Sequence, residues 1–196
     1  AFNTVVKANP WLGMPTESEQ PLADGSSSQQ FEYGSLVWHP SSGLRVITGA
    51  ISAAWQNAGG ASGEFGLPTS EEIPLGGGRV VQHFEDGDAY WAPGAGAWFV
   101  YRGNKTEWER LGGINGYLGA PTGNEVALGN NVVVQTFEGG RIYWSPTYGA
   151  RAVHGGILER YLQQGGHEKL GVPATGEYVY GSGVRQDFAR SSILWP

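Results

Sequence analysis

The sequence predicts a β-rich α+β repeat protein of four units, each a small hairpin-based β element plus one short connecting helix, stacked as a stalk. Three observations carry this expectation. A set of motifs recurs four times at nearly constant spacing. Glycine accounts for 33 of 196 residues and aromatics for 12%, which favours short strands and tight turns over long helices. Charged residues make up only 15%, against about 25% in ordinary globular chains, so the composition is not that of a disordered chain. A ring-closed, propeller-like arrangement of the same units is the alternative.

The repeat is anchored by a Leu/Phe-Gly-x-Pro tetrad whose proline stands at Pro15, Pro68, Pro121 and Pro173, at spacings of 53, 53 and 52 residues. Four residues after each proline comes a glutamate: Glu19, Glu72, Glu125 and Glu177. A Gln-x-Phe triplet follows, at Gln29/Phe31, Gln82/Phe84, Gln135/Phe137 and Gln186/Phe188. Nine residues past each glutamine stands a tryptophan, Trp38, Trp91, Trp144 and Trp195, followed closely by Pro40, Pro93, Pro146 and Pro196. These landmarks divide one array, residues 1–196, into a cap (1–11), three full repeats (12–64, 65–117 and 118–169) and a truncated fourth (170–196). The cap is expected to cover the open face of the first repeat with Phe2, Val5 and Val6, because terminal repeats need atypical ends.

Each element has a local reason. Val132–Phe137 is rich in β-branched residues and bounded by Asn130-Asn131 and Gly139-Gly140, so it reads as one arm of a hairpin. Arg141–Trp144 is the returning arm, stopped at Pro146, which has no ladder donor. The same hairpin recurs around Gly34 and Gly87. The connector reads as a helix with Ile157, Leu158, Tyr161 and Leu162 on one face and Gly165-Gly166 as a left-handed stop. Trp55 with Gly59-Gly60 and Trp108 with Gly112-Gly113 mark its counterparts, and Asn104 and Glu107 have capping-box spacing. The tetrad glycine permits close backbone approach and its proline fixes a turn.

Composition excludes several functions. There is no cysteine, hence no disulfide framework, thiolate metal site or cysteine nucleophile. The net charge is −6 with no basic run, which argues against nucleic acid and against an anionic membrane surface. No apolar stretch approaches the roughly 20 residues of a membrane span. The chain opens on Ala1, as a processed protein or an excised fragment would. His39, His83, His154 and His167 lack ligand spacing, and Asp86-Gly87-Asp88 reads as a hairpin turn, so neither a metal nor another cofactor is implied.

The four glutamates invite a catalytic reading, but glycoside hydrolysis needs two carboxylates in unlike environments. Four equivalent acids are read as structural, each accepting backbone hydrogen bonds beside the tetrad turn. The glutamines Gln29, Gln82, Gln135 and Gln186 belong to the same structural motif, and the four phenylalanines to the core. No catalytic residue is assigned and the chain is read as a non-enzyme. A hydrolase built on Glu71/Glu72 is the least favoured reading.

Leu-Gly-x-Pro-x-x-x-Glu, Gln-x-Phe and the Ile142–Pro146 run carry a resemblance. From Leu12 to Pro196 the sequence resembles the LGFP repeat family of actinobacterial cell-envelope proteins, although its tetrads read LGMP, FGLP, LGAP and LGVP. The resemblance implies a secreted, non-catalytic module bound to the cell-wall polysaccharide, peptidoglycan or arabinogalactan. Such repeats accompany mycoloyltransferases and peptidoglycan hydrolases, so an attached catalytic domain is one partner that the resemblance allows, and whether this chain carries one is left open. An envelope-protein partner or an inhibitor role is the rival. Sugars pack their C–H faces on aromatic rings. The candidate binding residues are therefore Trp38, Trp91, Trp144 and Trp195, with Tyr143, Arg45, Trp98 and Arg151, the last three at equivalent places in successive repeats. The tryptophans have a structural reading as well. His154, equivalent to Thr48 and Tyr101, is expected to cap its helix or stand exposed.

Overall fold

Each repeat begins where its tetrad proline lays the chain beside the Gln-x-Phe strand, in bridges pairing Pro15 with Phe31, Pro68 with Phe84, Pro121 with Phe137 and Pro173 with Phe188. Main-chain bonds on both sides of the proline repeat four times, for example Thr122 N to Thr136 O at 2.9 Å and Glu138 N to Ala120 O at 3.0 Å. A computed structural model describes residues 3–196, and side chains from Val6 onward. Phe2 and the side chain of Val5, two of the three expected cap contacts, lie outside the described residues. Val6 packs beside the first core cluster of Leu12, Phe31 and Leu36.

The expected hairpins are present, but each is the centre of a larger antiparallel meander. The first sheet is β1 (Gln20–Pro21), β2 (Ser27–Phe31), β3 (Gly34–His39) and β4 (Gly43–Thr48). The second is β5 (Ile73–Gly76), β6 (Arg79–Phe84), β7 (Gly87–Ala92) and β8 (Gly96–Val100), and the third is β9 (Val126–Gly129), β10 (Val132–Phe137), β11 (Gly140–Ser145) and β12 (Gly149–His154). The fourth has three strands, β13 (Tyr178–Tyr180), β14 (Gly183–Phe188) and β15 (Ser191–Trp195). None closes into a barrel, because strand order follows chain order with open ends. Pro40, Pro93 and Pro146 do end a strand, as expected, but they sit in a turn that brings the chain back as β4, β8 and β12. The β9–β10 turn uses Asn130 (φ 50°) and Asn131 (φ 57°), a pair of left-handed residues that suits the twist of the hairpin. The pairing of Phe84 with Gly87 puts Glu85-Asp86 in the expected turn. Asp88 then lies in β7, with His83 Nδ1 2.7 Å from its carboxylate.

Helix α1 (Asn3–Ala8) precedes the first sheet, α2 (Gly49–Asn57), α3 (Arg102–Arg110) and α4 (Gly155–Gln163) lead out of the first three sheets, and α5 (Gly166–Leu170) follows α4. The chain forms two compact units, residues 1–99 and 100–196. In the second unit, α4 and one face of the third sheet pack on the fourth sheet, burying Val134, Tyr143, Val153, Ile157, Tyr161, Phe188 and Ile193 together. Phe31, Phe84, Phe137 and Phe188 are all core, at 2–5% exposure. Gly165 is left-handed, as its stop role requires (φ 93°). Three expectations need correction. Leu162 is 42% exposed, because Ile157 and Tyr161 already fill the buried stripe. The third connector carries a second helix, α5, where its counterparts have only a 3-10 turn. Asn104 and Glu107 form no capping box, because α3 starts at Arg102 and both residues lie inside it.

The helix aromatics fasten each connector to the next tetrad. Trp55 Nε1 donates to Gly66 O at 2.9 Å, Trp108 Nε1 to Gly119 O at 3.0 Å, and Tyr161 OH to Gly171 O at 2.8 Å. The change from tryptophan to tyrosine keeps a donor at the same carbonyl, and each ring also lies against a motif phenylalanine. Tyr161→Phe removes that hydroxyl, which also neighbours the Tyr143 hydroxyl, from a fully buried site. It is expected to lower unfolding free energy by about 1–2 kcal/mol, measured by urea denaturation, because the Gly171 carbonyl keeps no equivalent partner.

Candidate functional site

The strand-end tryptophans are half-buried and share one sheet face with the Gln-x-Phe side chains, since Val80 pairs with Trp91, Val133 with Trp144 and Val184 with Trp195. In three of the four repeats this face meets the first turn of the helix that precedes it. Trp91 lines a pocket of about 290 Å³ with Thr48, Gly49, Ala50, Ile51, Glu72 and Val80. Trp144 lines one of about 260 Å³ with Arg102, Gly103, Asn104, Glu125 and Val133. Trp195 lies on Gly156, where an added Cβ would come within 2.4 Å of the indole. A Cβ added at Gly103 would stand equally close to Trp144, at 2.5 Å. These glycines occupy the same repeat position, and the first copy has Ala50 there. Trp38 instead packs beside the core cluster of the first sheet.

The motif glutamates belong to these junctions. Thr48 Oγ1 donates to Glu72, Asn104 Nδ2 to Glu125 Oε1 at 2.8 Å, and His154 Nε2 stands 3.3 Å from Glu177 Oε1. Glu19 receives Ser27 Oγ from its own sheet at 2.8 Å. Bonding to the backbone beside the tetrad turn falls to a different acid, the residue after each phenylalanine. Glu32 accepts from Met14 N at 3.0 Å, Glu85 from Leu67 N and Glu138 from Ala120 N, each at 2.9 Å. The fourth repeat has Ala189 at that place. His154 does precede its helix but caps nothing with its ring, which faces Glu177 and the Tyr117 ring, 4.3 Å away between centroids.

The motif glutamines are structural staples. Gln82 Nε2 donates to Val46 O at 2.9 Å and Ser70 O at 3.0 Å, and Gln186 Nε2 donates to Ala152 O and Thr175 O, both at 2.8 Å. Each thus ties a repeat's own turn to the last strand of the repeat before it. Gln135 bonds Gly123 O at 3.0 Å and Gln29 bonds Glu17 O at 3.1 Å.

The remaining candidates lie elsewhere. Tyr143 pairs with Arg151, and Val37 with Arg45, so both arginines face away from the strand-end tryptophans. Trp98 has the equivalent place in β8. Tyr143 is a core residue, 3% exposed, with its ring edge-on to Tyr161. Arg45 and Arg151 fold back onto the carbonyls of Leu44 and Ala150, and Trp98 Nε1 onto Ala95 O. The eight sequence-derived candidates therefore divide between two faces, and the two pockets gather only Trp91 and Trp144 among them. Thr48, Arg102, Asn104 and the helix-start glycines were missed. For Arg102 and the helix-start glycines the signal that could have found them is position: Gly49, Arg102 and Gly155 recur at 53-residue spacing at the sheet-to-helix transition, as do Gly103 and Gly156.

Glu177 has an unusual environment. Burial raises its carboxyl above the ordinary value of 4.5, and the neighbouring His154 works against that shift. A raised folded-state value means that the folded chain holds this proton more tightly than the unfolded chain does. Stability from this group is therefore full below about pH 4.5 and declines as pH rises through the folded-state value. Glu177→Gln is expected to remove that decline, so the melting temperature of the variant relative to the parent should rise between pH 4 and pH 7. A difference that fell with pH would show that the pair with His154 dominates instead.

Open meanders of three or four strands, joined by short helices and fastened through Gly-x-Pro tetrads, define a class of β-rich repeat module. The LGFP repeat model matches residues 12–63, 65–116 and 118–168, and the chain belongs to the LGFP repeat family, whose repeats are cell-wall-associated. The sheet of residues 178–195 lies beyond the matched segments and repeats the same glutamine, phenylalanine and tryptophan. No curated protein matches the chain. No helix among the described residues is long and apolar enough to cross a membrane.

Proposed function

We propose that the chain is a non-catalytic module that holds cell-wall polysaccharide in the pockets between each helix start and the next sheet. The observation that carries this reading is the recurrence of a half-buried tryptophan and a carboxylate in the lining of a small pocket, at Trp91/Glu72 and Trp144/Glu125. An indole face takes the C–H side of a sugar ring and a carboxylate takes hydroxyl donors. Each motif glutamate is paired with a different neighbour, which favours a binding or structural role for these acids over the paired carboxylates that hydrolysis uses. Pockets this shallow bind weakly alone, and a polymer that engages several gains through effective concentration. That chemistry suits retention on an insoluble wall at the cell surface. The test is co-sedimentation of the intact chain with purified peptidoglycan–arabinogalactan, beside an unrelated acidic protein. Retention well above the control is expected. Retention no greater than the control, with a stoichiometric complex with an envelope protein instead, would replace this reading with the interaction-protein one.

A further inference from the structure

The first compact unit holds another cleft, apart from the tryptophan pockets and of different chemistry. It encloses about 320 Å³, and its lining includes Ser28, Gln30, Ser35, Gln56 and Ala61. Ser28, Gln30 and Ser35 share the sheet face opposite Trp38, because Ser27 pairs with Trp38 and Gln30 with Ser35. Two small residues leave the space open. Ser28 stands where the next two repeats have Val81 and Val134, and Ala61 where the second has Ile114, all three buried. Ser35 is the hub. Its Oγ donates to Gln30 Oε1 at 3.2 Å, accepts from Gln56 Nε2 at 3.1 Å and lies 3.1 Å from Ser52 Oγ. A hydroxyl has one proton and two lone pairs, so with Ser52 donating, Ser35 is fully used and orients both amides. Their other ends, Gln30 Nε2 on the sheet wall and Gln56 Oε1 on the helix wall, have no partner among the described residues. Gln30 is half-buried and Gln56 exposed. Gln56 Oε1 lies beside Gly60, where an added Cβ would stand 3.1 Å from it. The same four places in the second repeat form the pairs His83–Asp88 and Lys105–Glu109, so the neutral amides belong to the first repeat.

We infer that this cleft binds the acetamido group of an N-acetylated sugar. The inference extends the reading of the chain as a saccharide binder to a site that the strand-end tryptophans do not form. An N-substituted acetamide is a trans amide, so its carbonyl and its N–H point to opposite sides. The cleft offers the matching groups on two walls: the Gln30 N–H₂ for the carbonyl and the Gln56 carbonyl for the N–H. A hydroxyl in the same place presents donor and acceptor from one atom and reaches one wall. The methyl group has Leu22 and Ala61 in the lining to pack against. Charge decides against acidic sugars. The lining contains Glu17 and no lysine, arginine or histidine, so nothing there balances a ligand carboxylate. The volume falls within the roughly 300–1,000 Å³ of ordinary small-molecule sites.

The experiment follows the side-chain amide resonances of Gln30 and Gln56 by heteronuclear NMR of the intact chain. The probes are diacetylchitobiose, cellobiose, which carries hydroxyls in place of the acetamido groups, and the blocked dipeptide N-acetyl-alanyl-alanine amide. Diacetylchitobiose should shift both resonances and bind at least about tenfold more tightly than either other probe. Ser28→Val combined with Ala61→Ile restores the residue types of the second repeat. That chain should fold with an unchanged or higher melting temperature and lose the response. Should it fail to fold, Gln56→Leu, the type found at Leu162 in the third repeat, removes the carbonyl from an exposed place, and a preference that survived it would overturn the site. Equal binding of the two disaccharides would also overturn it, and tighter binding of the dipeptide would replace the sugar with a peptide. Trp91→Ala combined with Trp144→Ala should leave the response intact, and its loss there would return the ligand to the tryptophan pockets. Wall retention without a response to diacetylchitobiose would overturn the cleft alone. A response without wall retention would leave the cleft standing and sink the wall reading.

Discussion

Gly119→Ala is expected to destabilise the second compact unit by about 3 kcal/mol, read from chemical denaturation. Two costs combine. Gly119 holds φ 67°, and a side chain there costs about 1–2 kcal/mol. The new Cβ would also stand 2.3 Å from Glu138 Oε2 and displace the carboxylate from its bond to Ala120 N. A hydrogen bond to a charged group contributes about 1.5–3 kcal/mol. The two costs separate in a double-mutant cycle. In a Glu138→Ala background the carboxylate is already gone, so Gly119→Ala should add only the conformational part. Equal costs in both backgrounds would show that the Glu138 bond contributes nothing to the turn. Gly171 gives an internal comparison. It is held at φ 79°, and a Cβ added there would stand 2.7 Å from the Cβ of Ala189, with no carboxylate to displace.

That turn shows where the sequence was legible and where it stopped being so. The spacing of Pro15, Pro68, Pro121 and Pro173 reveals the unit, because each copy must present the same bridge to the same phenylalanine. Gln-x-Phe is readable as a core strand for the same reason. Which glutamate serves the turn is not readable. Glu125 is nearer to the Pro121 tetrad in the chain, but the pairing of Pro121 with Phe137 brings Glu138 beside it in space. The outer strands β4, β8 and β12 are hidden because a proline correctly read as ending one strand also begins the turn into the next. The pocket residues are hidden for another reason. Thr48, Asn104 and His154 all partner a motif glutamate, yet they differ in type and Asn104 differs in register, so matching by identity passes over them. Only the geometry of the helix start shows that they do one task.

Combining Trp91→Ala with Trp144→Ala is expected to reduce wall retention by about a hundredfold, against about tenfold for either change alone. Each indole contributes on the order of 1–2 kcal/mol of apolar contact to a bound ring, which is roughly tenfold in affinity. Pockets on one chain that hold the same polymer act in series, so the losses multiply. Both rings are half-buried at a pocket wall, while Phe84 and Phe137 in the core are untouched, so the folded state should persist with a modestly lower melting temperature. Trp98→Ala provides the decisive control. It removes an indole at the place where Arg45 and Arg151 face away from the pockets, and its ring N–H is already occupied by the Ala95 carbonyl at 2.6 Å. Its loss should leave retention unchanged. If Trp98→Ala weakened retention and the pocket pair did not, the polymer would lie on the other face of the sheets, the face that carries Arg45 in the first sheet and Arg151 in the third. The two outcomes exclude each other because alternation along a strand puts the strand-end tryptophan of a sheet and these arginines on opposite faces.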